Sequence, residues 1–501
     1  MTYPTQLTLK ILQAEHPEYA AVKAHLEKIR LLAEGGWRLR ERLPEFLKQR
    51  PGEEDEIYEA RLEKFSYSNV LGGAISQLSS KITSGTVHLS NAEPESFWEE
   101  FREDTNGQGR TELQLIEKLF SEGLKYRTVF AHVDKPTSPQ QPRNRAEEEA
   151  LGLRSKVVLY PAIQVPLYKE RNGQLEWLKV YQISDHITPF SNPLKLARWK
   201  FIDSTYIATY ESFVKLDSQG QILELLDEQG EPLPLDEEPK VSLVSLVQHG
   251  FGSIPVTRLE LPDDKWSTNQ AYGIAEQCLR LECHRYDLLT AAYLQRTYKP
   301  IQSPDHDLDN SYTSSDDPLP TGLQYVLELD RFEWAEPEGK IIPSINSSLE
   351  QAEKQIRTLL GTGGAYVQEA VEASGVSKAM DFVIEDERLK AYGHLLTDCL
   401  QDLYQLVSKA EGQSNPGLAV SGLDEFGGDR LDDLIDTLTK LLSIDMTMLE
   451  RALTPSLYLL IREKLLSLLM GNLNPEQRGK CLDELRMQPS ENQADQQVQT
   501  V

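Results

Sequence analysis

The stretch from Tyr272 to Thr297 constrains the fold of this chain more than any other. Ile274, Cys278, Leu281, Leu288 and Ala292 fall on one line of a helix, with Ala275, Leu279, Tyr286, Leu289 and Tyr293 beside it. Glu276, Arg280, His284 and Asp287 recur on the opposite side in steps of four, four and three, so one face packs and the other is wet. At about 1.5 Å per residue the rod is roughly 40 Å long. It divides the sequence into a mixed part before it and a mainly helical part after it.

In the part before, apolar positions from Pro17 to Lys125 fall three and four apart. Val22, Leu26, Ile29 and Leu32 run to a break at Gly35-Gly36, and Tyr58, Leu62 and Phe65 form a second line. Pro51 and Gly52 separate Leu39–Gln49 from Glu53–Ser84, and Leu113–Tyr126 is expected to be a helix feeding a strand at Val129–Val133. Pro136–Arg154 has almost nothing to bury and is expected to be an exposed loop. Between Ser155 and Leu261 the texture changes to short Val, Ile, Leu and Tyr runs separated by Asn172-Gly173, Gln219-Gly220 and Gln229-Gly230. The first pair is a hairpin signal, because both central residues of such a turn need positive φ. The expectation is an antiparallel meander or sandwich, closed by His249-Gly250-Phe251-Gly252-Ser253-Ile254-Pro255-Val256 leading into a last strand.

After the rod, Pro300–Ile345 has the pattern of a small mixed insertion. Ser347 with Glu350 makes a capping box for a helix through Leu360, stopped by Gly361, Gly363 and Gly364. A second long helix is expected from Ser377 to Ala410, with Tyr392, Leu395, Leu396, Cys399, Leu403 and Leu406 as its buried line. Helical segments follow at Leu431–Leu442, Met446–Leu453, Thr454-Pro455 and Asn474-Pro475, and from Gln488 the composition is that of a disordered tail. The fold class is α+β, mainly α.

The chemistry is bounded by what 501 residues lack. A net charge of −27 argues against a protein that grips nucleic acid by neutralising phosphates. Cys278, Cys283, Cys399 and Cys481 are too scattered for a disulfide framework or a zinc site, no signal peptide or membrane span is read, and a reducing cytoplasm is the default. No phosphate-cradling Gly-Lys-Ser/Thr loop exists. Gly361-Thr362-Gly363-Gly364 follows a helix rather than a strand, and the His249-Gly250-Phe251-Gly252 turn has no GxSxG nucleophile to serve. Asp305, Asp307, Asp309, Ser311, Thr313 and Asp316 have EF-hand-like spacing, but Asn310 replaces the glycine and Asp316 the long glutamate, which favours a solvated acidic loop over a cation site. Cys283-His284 point about 100° apart on their helix and read as core cysteine and surface histidine. No carboxylate pair marks an acid or base, so neither catalysis nor a cofactor is expected.

Several segments resemble the portal proteins of tailed bacteriophages, the head-to-tail connector rings of the capsid vertex. They are Arg30–Val87 with Gly35-Gly36, Tyr58-Glu59-Ala60-Arg61 and the run Asn69–Gly85; Glu122-Gly123-Leu124-Lys125-Tyr126 before Val129–Asp134; and Gly252-Ser253-Ile254-Pro255-Val256 before the rod. The resemblance implies a wing over residues 1–265, stem helices at 266–297 and 347–360, and a small α/β clip at 298–346. It further implies a tunnel loop at 361–376, a long helix and wing return at 377–443, a crown at 444–487 and a tail at 488–501. It implies a ring, twelve-fold as in that family, that is a virion component assembled in the host cytoplasm. Such a ring passes double-stranded DNA during packaging and ejection and docks a terminase, capsid or scaffold proteins and a head-tail adaptor. Under that resemblance Gln368, Glu369, Glu372 and Lys378 are placed toward the lumen.

Net acidity suits a conduit, since each neutralised phosphate would add friction. The rod is locally less acidic: Arg280, Arg285, Arg296 and Lys299 offset Glu276, Glu282 and Asp287. Arg280 and Arg285 could centre DNA, or the charges could simply pair along the helix, as Glu276 with Arg280. Two other classes fit the composition: an oligomeric cytoplasmic enzyme with a β-sandwich binding domain, and a helical scaffold or adaptor without DNA contact.

Overall fold

The computed structural model describes residues 3–83, 87–136, 153–189, 192–217, 220–233, 239–262, 267–294, 341–362, 375–413 and 417–423, all within the unit Met1–Phe426. The expected crown and tail, nearly all of the clip and tunnel loop, and most of the loop expected at Pro136–Arg154 lie outside the described residues.

The chain opens with β1 (Gln6–Thr8) and the single turn α1 (Leu9–Leu12). Helix α2 (Pro17–Glu34) starts with Pro17 in its first turn and the His16 ring accepting the Glu18 N–H, and it buries Leu26, Ile29, Leu31 and Leu32. Val22, expected on that buried line, is 43% exposed. Short α3 (Gly36–Glu41) and a 3-10 turn at Leu43–Glu45 follow. The expected stretch Glu53–Ser84 is two helices, α4 (Asp55–Glu63) and α5 (Val70–Ile82). Asn69 separates them by capping α5, its Oδ1 accepting the Gly72 N–H at 2.8 Å. At Gly72 helix α5 comes so close to α2 that a Cβ would lie 2.2 Å from the Ala33 carbonyl oxygen.

Next come β2 (His88–Ser90), α6 (Glu95–Glu103) and α7 (Glu112–Tyr126). Thr111 and Gln114 close a reciprocal capping box on α7, whose apolar stripe Leu115, Ile116, Leu119 and Phe120 is fully buried. Its last turn feeds β3 (Thr128–Asp134), as the sequence predicts.

The β region comprises β4 (Lys156–Pro161), β5 (Leu167–Arg171), β6 (Gln174–His186), β7 (Leu194–Asp203), β8 (Tyr206–Leu216), β9 (Ile222–Leu226), β10 (Lys240–Gln248) and β11 (Val256–Glu260). It divides between two antiparallel sheets. The larger has the order β1-β10-β8-β7-β6-β5 with β9 beside β8, and the smaller is β11-β3-β4. The predicted hairpin joins β5 to β6, with Asn172 at φ 54° and Gly173 at φ 78°. One face of the larger sheet, carrying Trp199 and Tyr210, packs Leu12 of α1 together with Tyr3, Leu7 and Leu9. The other face, through Leu178, Val180 and Ile202, meets Phe130 and Tyr160 of the smaller sheet.

The long helices are α8 (Ser267–Leu294), α9 (Ile341–Leu360) and α10 (Gly375–Ala410), followed by β12 (Ala419–Ser421), which pairs with β2. Helix α9 corrects the sequence reading: it begins at Ile341, and Ser347 lies inside it rather than capping it. Ile345, Leu349, Ala352, Ile356 and Leu360 continue a single buried line, and Pro343 sits in the first turn, where its missing N–H costs nothing. Together these helices, α2, α5, α6, α7 and the smaller sheet enclose one continuous core. The fold is mixed helix and sheet, consistent with α+β.

Candidate functional site

Helices α8 and α9 run antiparallel. Arg285 of α8 donates to the Asn346 side chain at 3.1 Å, while Glu282, one turn earlier, lies near Glu353, further along α9. Burial pushes the Glu353 carboxyl above its ordinary range, with Glu282 adding to the rise against the opposing pull of Arg357. Along α8, Ala271, Ala275, Cys278 and Glu282 recur in steps of four, three and four and are buried. Tyr286 and Leu289 continue the same stripe by four and three, yet they are 44% and 39% exposed. Ile341, at the start of the antiparallel partner, is 53% exposed. The helix pair therefore has an inner half packed in the body and an outer half whose apolar stripe has less cover.

The polar face of α8 is engaged with its surroundings. Arg280 pairs with Glu276 one turn away, and the same carboxylate accepts the Tyr272 hydroxyl at 2.8 Å. Asp287 pairs with Lys64 at 2.8 Å, and Glu282 accepts the Ser68 backbone N–H at 2.7 Å. Arg280 stays exposed and Arg285 is half-buried. Lys378 lies on α10, whose backbone alone is described there; Gln368, Glu369 and Glu372, and the acidic run Asp305–Asp316, lie outside the described residues. At the mouth of the glycine-rich segment, Arg388 of α10 donates to the Leu359 carbonyl at 2.5 Å and so satisfies an end carbonyl of α9.

Buried polar groups elsewhere serve packing. Glu112 is 3% exposed and accepts from the Tyr404 hydroxyl and the Arg102 guanidinium, each at 2.6 Å, joining α6, α7 and α10. Burial raises Cys278 and Cys399 to about 12 and pushes Cys283 up as well, which keeps these thiols protonated and unreactive. Among the described residues no group of His, Cys, Asp and Glu is placed to hold a metal ion, and no helix is long and apolar enough to cross a membrane.

No family model matches the chain, and no curated protein matches it. It is similar to a chain in the virion of a native gene transfer agent particle, at 12% identity and a TM-score of 0.33, covering 83% of this chain and 93% of that one. It is also similar to a chain in the neck of an empty gene transfer agent particle, at 11% identity and a TM-score of 0.36, covering 88% and 95%.

Proposed function

We propose that this chain is a non-enzymatic portal subunit that closes into a ring, twelve-fold by analogy with the family it resembles. In this reading the ring is a conduit for double-stranded DNA in a virion, and a docking platform for terminase, capsid or scaffold proteins and a head-tail adaptor. The observation that carries the proposal is the α8 stripe: the spacing that buries Ala271, Ala275 and Cys278 continues through Tyr286 and Leu289, which are 44% and 39% exposed. A copy of the same helix pair covers the exposed part of this stripe, and a head-to-tail repeat of that contact closes a ring. Gln368, Glu369, Glu372 and Lys378 then border the channel, with Arg280 and Arg285 on the stem.

The test is the mass of the purified chain by light scattering, with negative-stain images of the same fractions. The expected species is a ring with a central hole near 680 kDa, about twelve times the 56.8 kDa chain. Tyr286→Lys with Leu289→Lys is expected to return it to monomers with unchanged circular dichroism. Compact particles without a hole, or rings indifferent to the double substitution, would overturn the reading.

A further inference from the structure

On the polar side of α8, a cleft of about 330 Å³ opens between that helix and the segment from Phe46 to Arg61. Four cations line it, Lys48, Arg50, Arg61 and Arg280, with His284 and the edge of Phe46, and no carboxylate lies in its wall. In a chain of net charge −27 this is a locally cationic wall, offset in part by Glu53 beside Arg61 and Glu276 beside Arg280.

Parts of the cleft are rigid. Arg61 is 9% exposed; its guanidinium donates to both Glu53 oxygens at 2.8 and 2.7 Å and to the Lys48 carbonyl at 3.0 Å, and it lies over the Tyr58 ring. The paired Arg61 holds the Glu53 carboxyl near 2, so the pair stays ionised through the neutral range. Arg280 is tethered to Glu276. Lys48 and Arg50 differ: both are exposed at the rim, and neither makes an ion pair with a carboxylate among the described residues. His284 also lines the cleft, and its Nδ1 is buried without a hydrogen-bond partner among the described residues. Cys283, also in the wall, donates to the Ser66 carbonyl, and burial keeps its thiol protonated, so it offers no nucleophile.

We infer that this cleft binds a phosphoryl oxyanion. Arg280 presents a planar donor group at the exposed side of the cleft, Lys48 and Arg50 add two rim cations that form no carboxylate ion pair among the described residues, and Arg61, held by Glu53, stands behind them. The inference does not depend on the ring: it concerns one chain's own residues. Free diphosphate and the backbone of a nucleic acid share this chemistry, and the experiment separates them.

The full chain is titrated calorimetrically with sodium pyrophosphate, with a short DNA duplex and with polyglutamate, all at one ionic strength. Pyrophosphate is expected to saturate one site per chain, and Lys48→Gln with Arg50→Gln to weaken it at least about tenfold without changing the melting temperature. Lys215→Gln, a change to an exposed cation on β8, leaves binding unchanged. A duplex that binds and is displaced by pyrophosphate identifies backbone phosphates as the source; a duplex that does not bind identifies a small phosphorylated ligand. Absence of saturable pyrophosphate binding, equal affinity in the double variant, or displacement by polyglutamate at equal charge would each overturn the assignment.

Discussion

The helical body and the larger sheet solve the same problem differently. In the body, buried side chains from Leu31 to Leu423 form one connected core, in which α2, α5, α7 and α8 each meet several other helices. The sheet has two small clusters, one per face, and one of them is closed by the short segment from Tyr3 to Leu12. That segment is fastened by polar contacts: Tyr3 donates to Asp203 at 3.0 Å, Tyr210 to the Pro4 carbonyl at 2.7 Å, and the fully buried Lys179 to the carbonyls of Leu12 and Ala14. The body is redundant in its packing, whereas the sheet depends on a strap. Large sheet residues such as Val244 and Leu246 remain 62% and 46% exposed, consistent with a layer covered only in part.

Five substitutions probe that contrast. The largest effect is expected for Phe120→Ala, which removes a fully buried ring that packs against Tyr392. It should cost about 3–5 kcal/mol and lower the whole denaturation curve. Leu12→Ala is its counterpart in the sheet: hydrogen exchange should show residues 3–12 released while body amides stay protected. A global loss in both would make strap and body one cooperative unit.

A smaller effect, with a definite sign, is expected at Lys179. Burial lowers its ammonium from 10.5 to about 8. Below pH 8 it is charged in both folded and unfolded chains, and the folded state bears the desolvation cost. Between pH 8 and 10.5 the folded lysine releases its proton first, so the unfolded state binds more protons and stability rises with pH. Measured by urea denaturation, the stability of wild type relative to Lys179→Met should therefore grow by about 3 kcal/mol from pH 7 to pH 10.5. A flat difference would mean that the strap is held without a buried charge.

The smallest effect concerns two adjacent glycines of α5. Nothing lies within 4 Å of a Cβ placed on Gly73, so Gly73→Ala should stabilise the helix by about 1 kcal/mol in a thermal melt. Gly72→Ala should destabilise instead, because its methyl would enter the Ala33 carbonyl. Equal outcomes would show that α2 and α5 are free to separate and that the body is less tightly determined than its core implies.

Much of this architecture was legible because it is local. The periodicity of α7, α8 and α10 and the Asn172-Gly173 turn each state their geometry within a few residues. The start of α9 is hidden because Ser347-Glu350 has the form of a cap, whereas the apolar line already includes Ile345. Strands β1, β2 and β12 left no signal, since three residues carry no period and their partners are remote in sequence. The basic cleft was illegible for a related reason: Lys48, Arg50, Arg61 and Arg280 share no spacing, and folding alone brings them together. The tension between DNA contact and helix pairing at Arg280 was visible in the sequence; its bond to Glu276 and its place in the cleft wall needed coordinates.

The pairing of β2 with β12 sets an order of events in the cell. His88 sits opposite Ser421, and Glu112 awaits the hydroxyl of Tyr404. At ordinary translation rates of about 5–20 residues per second, the early helices emerge roughly 20–60 s before the strand that completes them. During that interval the apolar faces of α5, α6 and α7 lack their partners from α10. Those faces stay uncovered until α10 and β12 are synthesised.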